Sequence, residues 1–219
     1  MSRTLDFIPN KKNLKIYQDD EMFRINTDTM ALGEFLEIKH KDTVLDIGTN
    51  TGALMLYASL FEPKEITGID VNERALELAN MNLEVNQVEN YRLICQDVTT
   101  YNEKEYDVVI CNPPYFKTPI EKLCDNEYKA LAKHEGTLRL DNLISSIRRC
   151  LKNHGTLFLL FQTSRLIDVI EELKKNKMIV KKLKFVHDVN KEYSNVVLIK
   201  AVKGAKSGIV VEKPLMIDR

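Results

Sequence analysis

Asn112, Pro113, Pro114 and Tyr115 follow one another in the chain, and together they suit one kind of reaction. Two consecutive prolines fix φ and carry no N–H, so the carbonyls around them are free to point outward. The Asn112 side-chain oxygen and the Pro113 carbonyl can then both accept from a single NH2 group. Tyr115 offers a flat apolar face on which a ring can stack, and Phe116 stands beside it. An amino group conjugated to a ring is a poor nucleophile, because its lone pair is delocalised. Two acceptors aimed at its hydrogens favour a more pyramidal nitrogen. Holding that nitrogen about 3 Å from an electrophilic methyl supplies much of the remaining rate. No strong general base is required. A rigid surface turn is the competing reading of the same residues.

Three further groups stand where a ligand could be held. Asp46-Ile-Gly48-Thr-Asn50-Thr-Gly52 places glycines where a strand turns into a helix, so the backbone can turn tightly and approach a ligand. A dinucleotide site wants G-x-G-x-x-G; here the pattern is G-x-N-x-G, which disfavours NAD and suits a ligand with a charged amino-acid end. Asp46 could accept from an ammonium group. Asp70, followed by Val71, ends the next apolar run; a carboxylate there can take both ribose hydroxyls of a nucleoside, or can cap the following helix. Asp97 and Val98 follow a third run. Asp97 could accept from an adenine amino group while Val98 offers an N–H and an apolar face, or Asp97 could be a turn residue.

These groups need strands that end beside one another. The apolar runs Thr43–Gly48, Glu65–Asp70, Tyr91–Cys95, Tyr106–Cys111 and Thr156–Phe161 read as five strands. Helical patterns lie between them at 53–61, 72–86 (capped by Asn72), 138–151 and 164–177. Extended runs near 181–187 and 195–202 read as a final antiparallel pair. Alternation of this kind predicts an α/β, doubly wound, mostly parallel sheet with helices on both faces. Ligands of such sheets bind outside the carboxyl ends of the strands, where the singled-out residues fall. The chain divides into a lead over 1–40 and one α/β domain over 41–219.

Composition narrows the classes. The 219 residues carry no net charge, so any nucleic-acid binding must come from a local patch. The start lacks the apolar core of a signal peptide, and no apolar run reaches membrane-spanning length. Cys95, Cys111, Cys124 and Cys150 form no C-x-x-C pair and read as buried free thiols of a reducing compartment. A cytoplasmic, membrane-free protein is expected. His134-Glu135 could suggest an acid–base or metal pair, but helix neighbours do not share a face, and no metal site is expected.

The G-x-N-x-G loop, the acid after the second strand and N-P-P-Y after the fourth resemble the class I S-adenosylmethionine-dependent amino-methyltransferases. The likeness runs further. Gln18 and the segment from Phe23 to Phe35, then Ala132-Lys-His-Glu135, Val186-His187, Lys203-Gly204 and Pro214-Leu215, are similar to the bacterial tRNA1(Val) adenine-37 N6-methyltransferases. The resemblance implies a Rossmann-like, seven-stranded sheet whose last strand is antiparallel, with S-adenosyl-L-methionine as cofactor. It implies that Gln18, Thr27 and Asp28 close over the methionine end, and that Asn112 borders the cofactor as well as the substrate. Read from the residues alone, Thr27 or Asp28 is an N-cap for a helix from about Thr29 to Ile38. One departure is Asn50, where the family usually has a second glycine.

The substrate implied is tRNA, through an adenine next to the anticodon, taken by a monomer. The enzyme would turn that base out of its stack and stack it on Tyr115 and Phe116. Lys117, Lys203 and Lys206 are the candidate phosphate contacts, with Lys122, Arg139, Arg148, Arg149, Lys152 and Lys200 as further cations. For all of them a plain solvated face is the alternative. A protein glutamine N5-methyltransferase would carry a helical domain ahead of this core, and a ribosomal RNA guanine N2-methyltransferase often has phenylalanine in place of Tyr115. A non-catalytic cofactor- or RNA-binding module would be expected to lose Asn112 or Pro114, and both are present.

Overall fold

The computed structural model describes residues 3–9, 11–19, 24–113 and 139–218. The chain opens with a hairpin, β1 (Arg3–Ile8) and β2 (Lys11–Asp19), and then α1 (Thr27–Phe35). The alternating core follows: β3 (Thr43–Ile47), α2 (Ala53–Ser59), β4 (Glu65–Asp70), α3 (Glu73–Val85), β5 (Tyr91–Cys95) and β6 (Tyr106–Cys111). Beyond the undescribed stretch come α4 (Leu140–Cys150), β7 (Leu151–Gln162), a short 3-10 turn, α5 (Leu166–Lys175), β8 (Met178–Asp188) and β9 (Val196–Lys203). Two short strands, β10 (Val210–Val211) and β11 (Leu215–Ile217), end the chain.

The expected seven strands lie in the order β5-β4-β3-β6-β7-β9-β8. All neighbours are parallel except β9, which runs antiparallel to both β7 and β8. The sheet is wider than expected: β10 and β11 add to the free edge of β8, making nine strands. Strand order reverses at β3, so the crevice beyond the ends of β3 and β6 is the switch point.

The central strands are apolar at nearly every position because both faces of the sheet are covered. Successive side chains alternate between two cores. Val44, Val108, Ile110, Phe158 and Leu198 pack under α1, α2 and the hairpin. Leu45, Ile47, Val109, Leu157 and Ile199 pack under α4 and α5. Helix α1 lies against α2 at Gly33, where an added Cβ would fall 2.4 Å from the Tyr57 ring. Tyr57 is itself buried and cannot retreat. Gly33→Ala is therefore expected to cost about 1–3 kcal/mol and lower the melting midpoint by several degrees, read by thermal denaturation.

The hairpin joins the body through two asparagines. Tyr17 donates its backbone N–H to Asn82 Oδ1 at 2.6 Å, and Asn82 Nδ2 donates back to the Tyr17 carbonyl at 3.1 Å. Lys15 makes the same reciprocal pair with Asn86, at 2.8 and 2.6 Å. Asn82 and Asn86 are one helical turn apart, and Tyr17 and Lys15 are two strand positions apart; the two spacings are nearly equal. The amides of α3 thus stand in for the missing neighbour strand of β2. Cysteine burial follows the sequence reading only in part. Cys111 and Cys150 are buried free thiols, but Cys95 is exposed, since it ends the edge strand β5; Cys124 lies outside the described residues.

Candidate active site

The registers bring the ends of four strands together. Ile47 pairs with Ile69 of β4 and with Cys111 of β6, and Asp70 pairs with Cys95 of β5. One step further along, Gly48, Asp70, Asp97 and Asn112 therefore rim one crevice. Pro114, Tyr115, Phe116 and Lys117 lie outside the described residues, as do Lys122, His134 and Glu135.

The loop after β3 is built on three left-handed residues, Gly48 (φ 70°), Asn50 (φ 47°) and Gly52 (φ 76°). Glycine takes that conformation without strain, and asparagine tolerates it best among the others. That explains how Asn50 can stand where glycine is usual. A Cβ on Gly48 would meet nothing within 4 Å, whereas one on Gly52 would press on Ala79 of α3 at 3.1 Å. Gly48 thus leaves open space toward the crevice, and Gly52 lets α2 pack closely on α3. Gly48 and Thr49 both donate to the Ile69 carbonyl, at 2.9 and 3.1 Å.

Asp70 fixes the loop from the next strand. Its two oxygens accept the N–H of Asn50 at 2.9 Å and of Asn72 at 3.0 Å. Each oxygen keeps a second lone pair, so a vicinal diol can be bound as well. Asn72, not Asp70, caps α3, accepting from Arg74 and Ala75. Val71 beside it is 70% exposed, a large apolar side chain at the mouth of the crevice. Asp97 uses Oδ1 to accept from the N–H and hydroxyl of Thr99, at 2.7 and 2.8 Å; Val98 is buried beneath it. Arg149 of α4 donates to the carbonyls of Val98, Thr99 and Tyr101 and so holds this turn.

Asp46 is fully buried. Its Oδ2 accepts from the Thr49 hydroxyl at 2.7 Å, and its Oδ1 has no partner. Burial pushes its carboxyl up to about 7, against a smaller lowering by Thr49, with the nearby Asp70 charge raising it further. A buried acceptor without a donor is the mark of a site that fits a bound cation. The folded protein holds this proton to higher pH than the unfolded chain, so stability from Asp46 is full below about pH 4 and is lost as pH rises through about 7. The gap between 3.8 and about 7 corresponds to about 4 kcal/mol. Asp46→Asn is expected to remove that slope from the unliganded protein, measured by denaturation at pH 4 and pH 8. An unchanged slope would contradict the burial argument.

Asn112 leaves β6 half-buried, and its Nδ2 donates to Thr29 Oγ1 of α1 at 3.3 Å. Pro113 is buried and has no N–H to give. Helix α1 begins earlier than the sequence reading had it. Asn26 caps it, accepting from Thr29 N, so Thr27 and Asp28 are first-turn residues and not caps. Asp28 is buried. The Gln18 amide serves the lead itself, donating to Asp6 at 2.8 Å and accepting from Ile25 N at 3.1 Å.

Lys203 is a correction. It pairs with Met178, the first residue of β8, which puts it at the end of the sheet opposite the crevice. Its ammonium group donates to the carbonyls of Arg148 and Leu151 and lies 3.7 Å from Glu105, with a side chain 12% exposed. It caps the end of α4 instead of facing solvent. Lys206, three residues further on, is exposed at the same distal end. Lys152 is likewise held by Asp107 at 2.8 Å, and Lys200 by Glu37.

Sequence reasoning passed over Thr29, Thr49 and Asn82 as site residues, and it read Arg149 only as a candidate cation for phosphate, not as the clasp of the Asp97 turn. Asn82 could have been found: it falls on the apolar stripe of α3 between Ala79 and Leu83, and a buried amide must be hydrogen-bonded. Besides Tyr17 it donates to the Thr51 carbonyl at 2.9 Å, tying the hairpin to the glycine loop.

Solved structures share this architecture. A ribosomal protein L11 methylase from Lactobacillus delbrueckii subsp. bulgaricus superposes with a TM-score of 0.62 at 16% identity, covering 85% of this chain and 84% of that one. A chain assigned as a methyltransferase and complexed with SAH superposes with a TM-score of 0.69 at 18% identity, covering 91% of this chain and 56% of that one. The fold is thus the Rossmann-like fold of the class I methyltransferases. Residues 13–191 match the model of the methyltransferase small domain, and the chain belongs to that family. Among its relatives is the tRNA1(Val) (adenine(37)-N6)-methyltransferase of Pseudoalteromonas translucida, 29% identical over 75% of this chain and 71% of that one. The protein of the same name from Flavobacteriaceae bacterium strain 3519-10 is 35% identical over 66% of this chain and 62% of that one.

Proposed function

We propose that this methyltransferase transfers a methyl group from S-adenosyl-L-methionine to N6 of an adenine in tRNA, at position 37 of the anticodon stem-loop. The observation that carries the reading is the Asn112 amide at the end of β6, with one end engaged by Thr29 and the other left to accept. The relatives' names support the choice of nucleic acid and of nitrogen.

The cofactor, when bound, supplies an electrophilic methyl on a positively charged sulfur. The chain's own residues do the rest. Asp70 and Asp97 hold the nucleoside end and Val71 covers it. Asp46 accepts from the ammonium end, and Gly48 leaves room for its approach. Asn112 Oδ1 and the Pro113 carbonyl accept the two hydrogens of the target amino group and aim its lone pair at the methyl. Tyr115 and Phe116 stack the base. The proton passes to water after transfer, when the cationic nitrogen has become acidic, so no strong base is needed.

Residues 1–40 act as a lead that closes the site and 41–219 as the catalytic domain, with the protein working as a monomer. Lys117 remains the phosphate contact next to the catalytic turn. The test is transfer of labelled methyl into separated tRNA, ribosomal RNA and protein. Label in tRNA alone is the expected result. Label in ribosomal RNA or in protein would replace the substrate with guanine N2 or glutamine N5, respectively.

A further inference from the structure

We infer that Thr29, with Asn26 behind it, is a positioning residue that decides which end of the Asn112 amide is offered to the substrate. The inference rests on reading Asn112 as the acceptor for the target amino group. An amide side chain has two ends of equal shape and opposite polarity, so its orientation must be imposed by a neighbour. Here the imposition can be followed link by link. The backbone N–H of Thr29 can only donate, and it points at Asn26 Oδ1 at 2.9 Å. That identifies the Asn26 atom as oxygen. The Thr29 hydroxyl lies 3.1 Å from the same oxygen; donating there uses its only proton and avoids setting two lone pairs against each other. The hydroxyl then has only lone pairs left, and Asn112 meets it at 3.3 Å. Only the NH2 end of Asn112 can satisfy it.

Oδ1 of Asn112 is therefore the end left over. With the relay broken, the amide could turn its NH2 toward the substrate and set donor against donor. The relay also ties α1 to β6, so the helix carries part of the catalytic geometry although none of its atoms reacts. Asn26 caps the helix and orients the hydroxyl with a single oxygen.

Thr29→Val keeps the shape and removes the hydroxyl, while the Asn26 cap on the backbone N–H is kept. Expected is a fall in kcat of about tenfold, with cofactor Kd and KM for RNA each within about twofold of wild type. Thr29→Ser recovers the rate. In an Asn112→Ala background, Thr29→Val adds no further loss, because the two act as one unit. An equal loss in that background, or a loss carried by cofactor Kd, overturns the inference. The Asn112 carboxamide proton pair, assigned in 1H–15N spectra by its absence from Asn112→Ala, is expected to shift in Thr29→Val. An unmoved pair overturns the inference whatever the enzyme does with RNA. A wild-type protein that transfers no methyl contradicts the functional reading instead, and the spectra still decide the role of Thr29.

Discussion

Asn112→Ala is expected to lower kcat for methyl transfer by about 10²–10³-fold, the usual cost of losing one preorganised polar group aimed at developing charge. The target nitrogen loses one of its two acceptors, and the Thr29 hydroxyl loses the donor it now meets. The protein should still fold. Asn112 is only half-buried and lies beyond the last residue of β6, and among the described residues the side-chain hydrogen bond it gives up is the one to Thr29. Single-turnover kinetics with saturating cofactor isolates the effect. A loss below about threefold would mean that the amide does not touch the reacting nitrogen.

Asp70→Ala is expected to weaken cofactor binding by about 10²-fold or more, measured by calorimetry with S-adenosylhomocysteine. Two effects add. The variant removes the carboxylate that would receive the ribose hydroxyls, and hydrogen bonds to a charged group are worth about 1.5–3 kcal/mol each. It also releases the N–H groups of Asn50 and Asn72, so the glycine loop and the start of α3 lose the anchor that sets their spacing. Asp70→Asn separates the two: it keeps an acceptor for one N–H but turns a donor toward the other. An intermediate affinity is expected from it. Equal affinity in all three proteins would place the cofactor elsewhere.

The central sheet was legible in the sequence because its strands are covered on both faces and so read as unbroken apolar runs. The ends of those runs fell where the register later brought Gly48, Asp70, Asp97 and Asn112 together. The hairpin was not legible. Five of the six residues of β1 are exposed, so the strand has no buried face to mark it. Its partner β2 is held by Asn82 and Asn86, 65 and 71 positions away. The start of α1 was misplaced because Asn26, Thr27, Asp28 and Thr29 are all good caps in type, and only geometry selects among them. Lys203 was misread for a different reason. Its charge is visible in the sequence, but the direction of β9 is what carries it to the far end of the sheet, under the carbonyls that end α4. Asp46 and Asp70 stand at the ends of β3 and β4, and Asp97 just past β5, but their environments were not foreseen. Asp46 is sealed with one oxygen unpaired, while Asp97 is exposed in a turn.

The measurement that tests the account most directly is nucleoside mass spectrometry of tRNA methylated by the wild-type protein, followed by mapping of the modified fragment. Expected is N6-methyladenosine in an anticodon-loop fragment, with its initial rate of formation reduced about 10²–10³-fold by Asn112→Ala. Methyl on a ring nitrogen or on a ribose oxygen would contradict it, because the acceptor pair at Asn112 and Pro113 has no use for a target without an exocyclic amino group; methyl on guanine N2 would keep the pair and overturn the choice of base.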